Sequence, residues 1–212
     1  MKYKDFRFLF PPRPAVATSP NELTAFEKEG YEAQVKKNGT CNIMAFSPDR
    51  DLFAMNRHAE THKLWTPDKK IISTIADKLK GGWFVFVAEL LHSKIAGGPR
   101  HTNYIHDVLV ADGEYLVGVS QRERYDLLHS IFLNGDEEET YSHYVVDEKT
   151  WIARQHTSGF RQFFDEIVTQ GNPEDEGLVL KHPEQVLNIC SKEKANVTGM
   201  VKIRVPHKNY SF

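Results

Sequence analysis

Lys36-Lys37-Asn38-Gly39 closes one strand-like run, Tyr31–Val35, and opens another, Cys41–Phe46. Its form is K-x-N-G: a lysine carried to the end of a strand, then a glycine that lets the backbone turn. A lone K-x-x-G marks an ordinary turn in many proteins, so these four residues need company. In chain order there follow Asn56-Arg57, Ala88-Glu89-Leu90, His106-Asp107-Val108-Leu109, Glu176-Gly177-Leu178-Val179-Leu180-Lys181 and Lys202-Ile203-Arg204. Glu89 stands inside the apolar run Trp83–Leu91, where a carboxylate is costly without a partner. Lys202 and Arg204 alternate to one face of a late strand-like run.

The 212 residues suffice for one large domain with a substantial core. A hydrophobic share of 40% with 26% charged residues is that of a water-soluble globular chain. No apolar run approaches a membrane span, and Met1–Phe10 lacks a secretory signal, so the expected compartment is the cytoplasm. Sequons at Asn38, Asn196 and Asn209 carry no weight in such a chain. Cys41 and Cys190 have no metal-type spacing and read as two buried free thiols. A net charge of −2 argues against bulk coating of nucleic acid but leaves room for a local basic groove. Basic residues gather at Lys36-Lys37, Arg57-His58, Lys63, Arg100-His101, Lys181-His182 and from Lys202 to Lys208, while Asp136–Glu139 reads as a solvated acidic loop.

Residues 1–20 read as an extended leader, with Pro11, Pro12, Pro14 and Pro20 in its second half, within a single domain spanning 1–212. Strands are expected at Tyr31–Val35, Cys41–Phe46, Leu52–Met55, Trp83–Leu91, Tyr104–Val110, Glu114–Val117, Gly177–Lys181 and Met200–Val205. The Ser47-Pro48-Asp49-Arg50 turn joins the second and third into a hairpin. Three helices are expected: from Thr66-Pro67 to about Lys80, from a Ser120/Glu123 capping box to about Phe132, and from Ser158 to near Gly171. Hairpins with interspersed helices predict an α+β domain of antiparallel sheets.

A lysine placed like Lys36 can attack the α-phosphate of a nucleotide and form a lysyl-phosphoramidate. With the other motifs in order, the chain resembles the adenylation domain of ATP-dependent polynucleotide ligases, in the covalent nucleotidyltransferase superfamily. The resemblance runs from Tyr31 to Arg204 and is sharpest in Asp107-Val108-Leu109-Val110-Ala111-Asp112-Gly113-Glu114, Gly118 and Arg122–Leu128, a stretch commoner in DNA ligases than in RNA ligases or capping enzymes. It implies an antiparallel-sheet nucleotidyltransferase fold (ATP-grasp-like) with flanking helices and no OB-fold.

The same resemblance implies roles. Lys36 is the adenylated nucleophile, with Lys37 at a variable, solvated position. Gln34 meets the base, where many ligases carry glutamate. Arg57 holds a phosphate, as guanidinium geometry suits. Glu89 accepts from the ribose hydroxyl and supports a metal. His106 stacks on adenine, with Tyr104 as the alternative. Glu176 positions Mg²⁺ beside a solvated Asp175, Lys181 points at the α-phosphate, and Lys202 and Arg204 complete the phosphate clamp. The cofactors implied are ATP and Mg²⁺. The substrate is nicked duplex DNA, or RNA in a ligase of the same superfamily. The missing OB-fold implies an isolated catalytic domain, or a minimal enzyme completed by a separate chain. A non-catalytic nucleotide or nucleic-acid binding module is the rival from another class, and retention of Lys36, Glu89, Glu176, Lys181 and Lys202 together counts against it.

Overall fold

Apolar Ala33 and Val35 alternate with polar Glu32, Gln34 and Lys36, which is the pattern of a strand with one face on a core and one on a functional site. In the computed structural model this segment forms an outer strand of a four-stranded sheet. Residues 2–92, 98–188 and 196–205 are described. Cys190, Lys208 and Asn209 lie outside them. The elements run β1 (Arg13–Ala17), α1 (Leu23–Lys28), β2 (Glu32–Lys37), β3 (Thr40–Phe46), β4 (Leu52–Met55), α2 (Lys69–Ala76), β5 (Phe84–His92), β6 (Arg100–Ala111), β7 (Glu114–Tyr115), α3 (Gln121–Phe132), β8 (Glu138–Glu139), β9 (His143–Asp147), β10 (Thr150–Ala153), α4 (Phe160–Gln170), β11 (Asp175–Lys181) and β12 (Asn196–Arg204). No helix among the described residues is long and apolar enough to cross a membrane.

Two mixed sheets result. The smaller has the order β1-β12-β11-β2, and the larger runs β4-β3-β5-β6-β10-β9-β8 with β7 on β6. The α+β class is as expected, but the all-antiparallel arrangement is not. β1 runs parallel to β12, and β10 runs parallel to β6. Parallel neighbours need a long crossover, and α3 with the β8–β9 ribbon provides one between β6 and β10. The ATP-grasp-like part of the expectation finds no support in this topology. Part of the supposed surface leader is β1 itself, so that segment is sheet and not merely strap.

Phe160, Phe163, Phe164 and Ile167 of α4 pack with Leu23 of α1 on Ala33, Val35, Leu178, Leu180, Val201 and Ile203 of the smaller sheet. A separate core joins Ile71 and Ile75 of α2 and Leu128 and Phe132 of α3 to Met44, Phe86, Ala88, Ile105 and Ile152 of the larger sheet. Fully burying each Val, Leu, Ile, Phe or Met among them stabilises by about 1.5–3 kcal/mol. These two cores hold the sheets as rigid walls.

Helix ends show where local reading stops. The Ser120/Glu123 capping box is formed in both directions, and α3 spans the expected residues. α2 starts later than expected, because the Asp68 carboxylate, not Thr66, accepts from Ile71 N at 2.8 Å. α4 is not capped by Ser158. Gly159 occupies its N-cap, and the Glu27 carboxylate of α1 accepts from the Gly159 and Phe160 amides at 3.0 Å each. The acidic run is not simply solvated either. Glu137 accepts from the Asn134 and Gly135 amides, Glu138 and Glu139 form β8, and Glu139 pairs with Arg154 at 2.7 Å.

Candidate active site

β2 and β11 pair antiparallel, and the site grows from an irregularity in that ladder. Lys37 faces Asp175 and Lys36 faces Gly177, so Glu176 is the extra residue of a bulge. Gly177 makes the bulge possible. Its φ is +130°, and a Cβ there would collide with the Ile203 carbonyl oxygen of β12. The bulge turns Glu176 to the side of Lys36, whose ammonium it binds. Arg204 Nε on β12 lies 4.0 Å from the same carboxylate.

Gly39 follows the lysines for a related reason. A side chain at Gly39 would strike the Leu90 carbonyl of β5, and the Gly39 amide donates to Glu89 Oε1 at 3.1 Å. The glycine therefore brings the loop that follows Lys36 and Lys37 onto the strand bearing Glu89. Burial, opposed by nearby Lys36 and the Gly39 amide, pushes the Glu89 carboxyl up to about 7.

All the proposed residues line one cavity of about 590 Å³ between the sheets: Lys36, Gln34, Arg57, Glu89, His106, Glu176, Lys181, Lys202 and Arg204, with Tyr104. Within it they divide. Lys36, Glu176, Lys202 and Arg204 form a charged end, where burial and then the neighbouring Arg204, Lys36 and Arg13 lower the Lys202 ammonium. Arg57 is exposed, its Nε 3.1 Å from His58 Nε2. Lys181 does not join Lys36 in this structure. It sits opposite Glu32, four positions along the ladder, and its ammonium donates to the His106 carbonyl at 3.0 Å. Burial brings that ammonium down to about 8, against the pull of Asp107.

Tyr104 and His106 are now distinguishable. The Tyr104 hydroxyl is buried and shares its one hydrogen between the Val35 and Ser142 carbonyls, 3.3 and 3.2 Å away, which anchors the ring in the wall. The His106 ring is not tied to another described residue in this way, and burial followed by nearby Lys181 holds its imidazole neutral, at about 3. Behind it, Asp107 takes Arg124 bidentately at 2.9 and 3.1 Å. Burial would raise that carboxyl, but the guanidinium keeps it below the usual range. This is the physical content of the Asp107–Leu128 motif: a buried pair that docks α3 on β6.

Two expectations are corrected. Lys37 and Asp175 are not solvated. They form an ion pair at 2.6 Å with side chains 2% and 1% exposed. Lys37 also lies 5.7 Å from the Tyr104 ring centre and 5.8 Å from that of Tyr141, whose hydroxyl donates to Asp175. A strand exposed on one face would have solvated one of these two adjacent lysines; here the larger sheet covers the second. Cys41 is half-buried rather than buried and lines the cavity, with burial and then Glu89 driving its thiol up to about 12. Sequence reading also missed Arg13, flanked by prolines, which β1 delivers to the cavity wall. Its only signal was a proline cluster with a single arginine.

Among the described residues no group of three or more His, Cys, Asp and Glu side chains could hold a metal. Glu176 and Glu89 are two carboxylates on one cavity, and the Glu176 charge raises the cost of ionising Glu89. That donor set suits Mg²⁺, which is held by one or two carboxylates plus phosphate oxygens rather than by an all-protein cage.

No family model matches this chain, and no curated protein matches it. Solved structures do. A mycobacterial DNA ligase D in complex with ATP superposes with a TM-score of 0.67 at 14% identity, covering 94% of this chain and 62% of that one. The ligase domain of M. tuberculosis LigD gives 0.67 at 14% identity, covering 92% and 60%. The ATP-dependent DNA ligase of bacteriophage T7, in complex with ATP, gives 0.53 at 13% identity, covering 92% and 68%. The chain has the fold of the adenylation domain of ATP-dependent DNA ligases. It spans about three fifths of the length of the ligase D structures it matches.

Proposed function

We propose that this chain is the catalytic adenylation domain of an ATP-dependent DNA ligase. One observation carries the reading. The Lys36 ammonium lies in a cavity with Glu176, Glu89, Lys202 and Arg204, on the fold of ligases, two of which hold ATP in their own structures.

In the first step the Lys36 nitrogen attacks the α-phosphorus of ATP. A nitrogen–phosphorus bond forms, the bond to pyrophosphate breaks, and lysyl-AMP results. The ammonium must first lose a proton, and the Glu176 carboxylate bound to it is the acceptor within reach. Lys202 and Arg204 neutralise the phosphate oxygens as charge shifts to the leaving group. Glu176 and Glu89 would hold Mg²⁺, which supplies further charge neutralisation on the phosphates when bound. His106, neutral and presenting a flat ring, stacks on the base, while Glu89 meets the ribose. The 5′-phosphate of a nick then takes AMP from Lys36, and the 3′-hydroxyl displaces AMP to close the strand.

The test is incubation with α-labelled ATP and Mg²⁺ followed by denaturing electrophoresis, with GTP and NAD⁺ in parallel. A label that survives denaturation and is lost in Lys36→Ala supports covalent catalysis. An unlabelled chain that also fails to seal a pre-adenylated nick would overturn it in favour of a binding module. Deoxyribose and ribose nicks offered side by side decide the strand chemistry.

A further inference from the structure

Glu32, Gln34 and Lys36 alternate to one side of β2, and a chain of hydrogen bonds runs along the first two. Arg122 Nη2 donates to Glu32 Oε1 at 2.8 Å. Gln155 Nε2 donates to Glu32 Oε2 at 2.7 Å, and Gln34 Nε2 donates to Gln155 Oε1 at 3.2 Å. The polarity of this chain has one consistent solution. An ionised carboxylate only accepts, so Gln155 must turn its amino group to Glu32. Its carbonyl is then left for Gln34, which must present its own amino group. Flipping either amide would set two acceptors against each other. The Gln34 oxygen is therefore what remains, and it accepts no hydrogen bond from the described residues.

Gln34 lines the end of the cavity away from the Lys36–Glu176 pair. Gln34 stands two residues from Lys36, roughly 6.6 Å along the strand at 3.3 Å per residue. Its cross-strand neighbour is Val179, and neutral His106 lines the same cavity with the Lys181 ammonium turned to the His106 carbonyl, whereas Glu176, Glu89, Lys202 and Arg204 gather toward Lys36. A nucleotide with its α-phosphate at Lys36 thus has its base at Gln34.

We propose that Arg122, Glu32 and Gln155, none of which lines the cavity, are positioning residues that select the nucleobase. By holding the Gln34 amide in one orientation they show the base an acceptor. That favours a base carrying an amine at C6, as adenine does, over one carrying a carbonyl at C6, as guanine does. A glutamine without this relay could rotate and serve either. The inference rests on the nucleotidyl-transfer reading of the same cavity.

The experiment measures ATP-over-GTP preference of the full chain in two ways: covalent labelling, and competition by ATP or GTP against a fluorescent ATP analogue. Gln155→Met removes the relay while keeping the side-chain length. The preference should fall about tenfold, the worth of one neutral hydrogen bond. Adding Gln34→Glu to that variant should restore it, because a carboxylate offers only acceptors whichever way it turns; general damage to packing would not be repaired this way. A preference unchanged in Gln155→Met, or lost and not regained in the double variant, would overturn the proposal. Should Gln155→Met fail to fold, Glu32→Gln frees the head of the relay and is read by the same criterion. A wild-type chain that prefers ATP in competition but takes no label from any nucleotide would sink the covalent chemistry and leave the relay standing.

Discussion

Two ion pairs stand side by side on the β2–β11 ladder, built from adjacent lysines and adjacent carboxylates. Lys36–Glu176 faces the cavity, with side chains 21% and 31% exposed, while Lys37–Asp175 is sealed behind it at 2% and 1%. The chemistry of the two pairs is the same and their environments are opposite. A pair in contact with solvent can open and re-form around a ligand. A pair held against Tyr104 and Tyr141, with Asp175 also receiving the Tyr141 hydroxyl, has nowhere to release its charges. The difference divides labour: the open pair is free for chemistry, and the closed pair fixes the register that presents it.

The most severe way to break this contrast is to leave a charge unpaired in the closed site. Lys37→Met should destabilise the fold by about 3–5 kcal/mol in urea denaturation, because Asp175 stays buried without a counter-charge. Adding Asp175→Leu should recover most of that loss, since two apolar side chains replace two charges. A Lys37→Met variant as stable as wild type would show that the pair is not sealed in solution.

Glu89 sharpens the contrast from the cavity side. Its folded-state carboxyl lies near 7, above the ordinary 4.5, so the folded chain holds that proton more tightly than the unfolded chain. Its favourable share in stability is complete below about pH 4.5 and is lost as pH rises toward 7. Denaturation midpoints across that range should show wild type losing stability relative to Glu89→Gln, and parallel curves would contradict the assignment.

Lys36→Ala, which removes all covalent label under the proposed function, should change stability by no more than about 1 kcal/mol, as for a partly exposed pair. At the foot of the scale lies Arg161–Asp165 on α4, 3.0 Å apart and about half exposed. Arg161→Ala should cost at most about 0.5 kcal/mol by the same measurement. If it matched Lys37→Met, burial would not be what separates these pairs.

Much of the site was legible because its signals are local. The K-x-N-G turn, the Glu89 carboxylate within an apolar run and the Lys202/Arg204 alternation are each spelled by neighbouring residues, and all line one cavity. The capping box of α3 needed only Ser120 and Glu123. What escaped depends on distant partners. The cap of α4 comes from Glu27, the pairing of β1 with β12 joins opposite ends of the chain, and β8 to β10 carried too weak an alternation to be read.

By itself the sequence determined which chemical groups are present and in what order: a strand-end lysine, spaced carboxylates, and paired cations on a late strand. Only the tertiary structure decided that Lys37 and Asp175 are sealed rather than solvated, that the Tyr104 hydroxyl rather than the His106 ring is tied to other segments, and which way the Gln34 amide points. The reason is physical. Strand alternation and turn chemistry act between neighbours, whereas burial, bulge register and hydrogen-bond polarity are set by whichever residue the fold brings opposite.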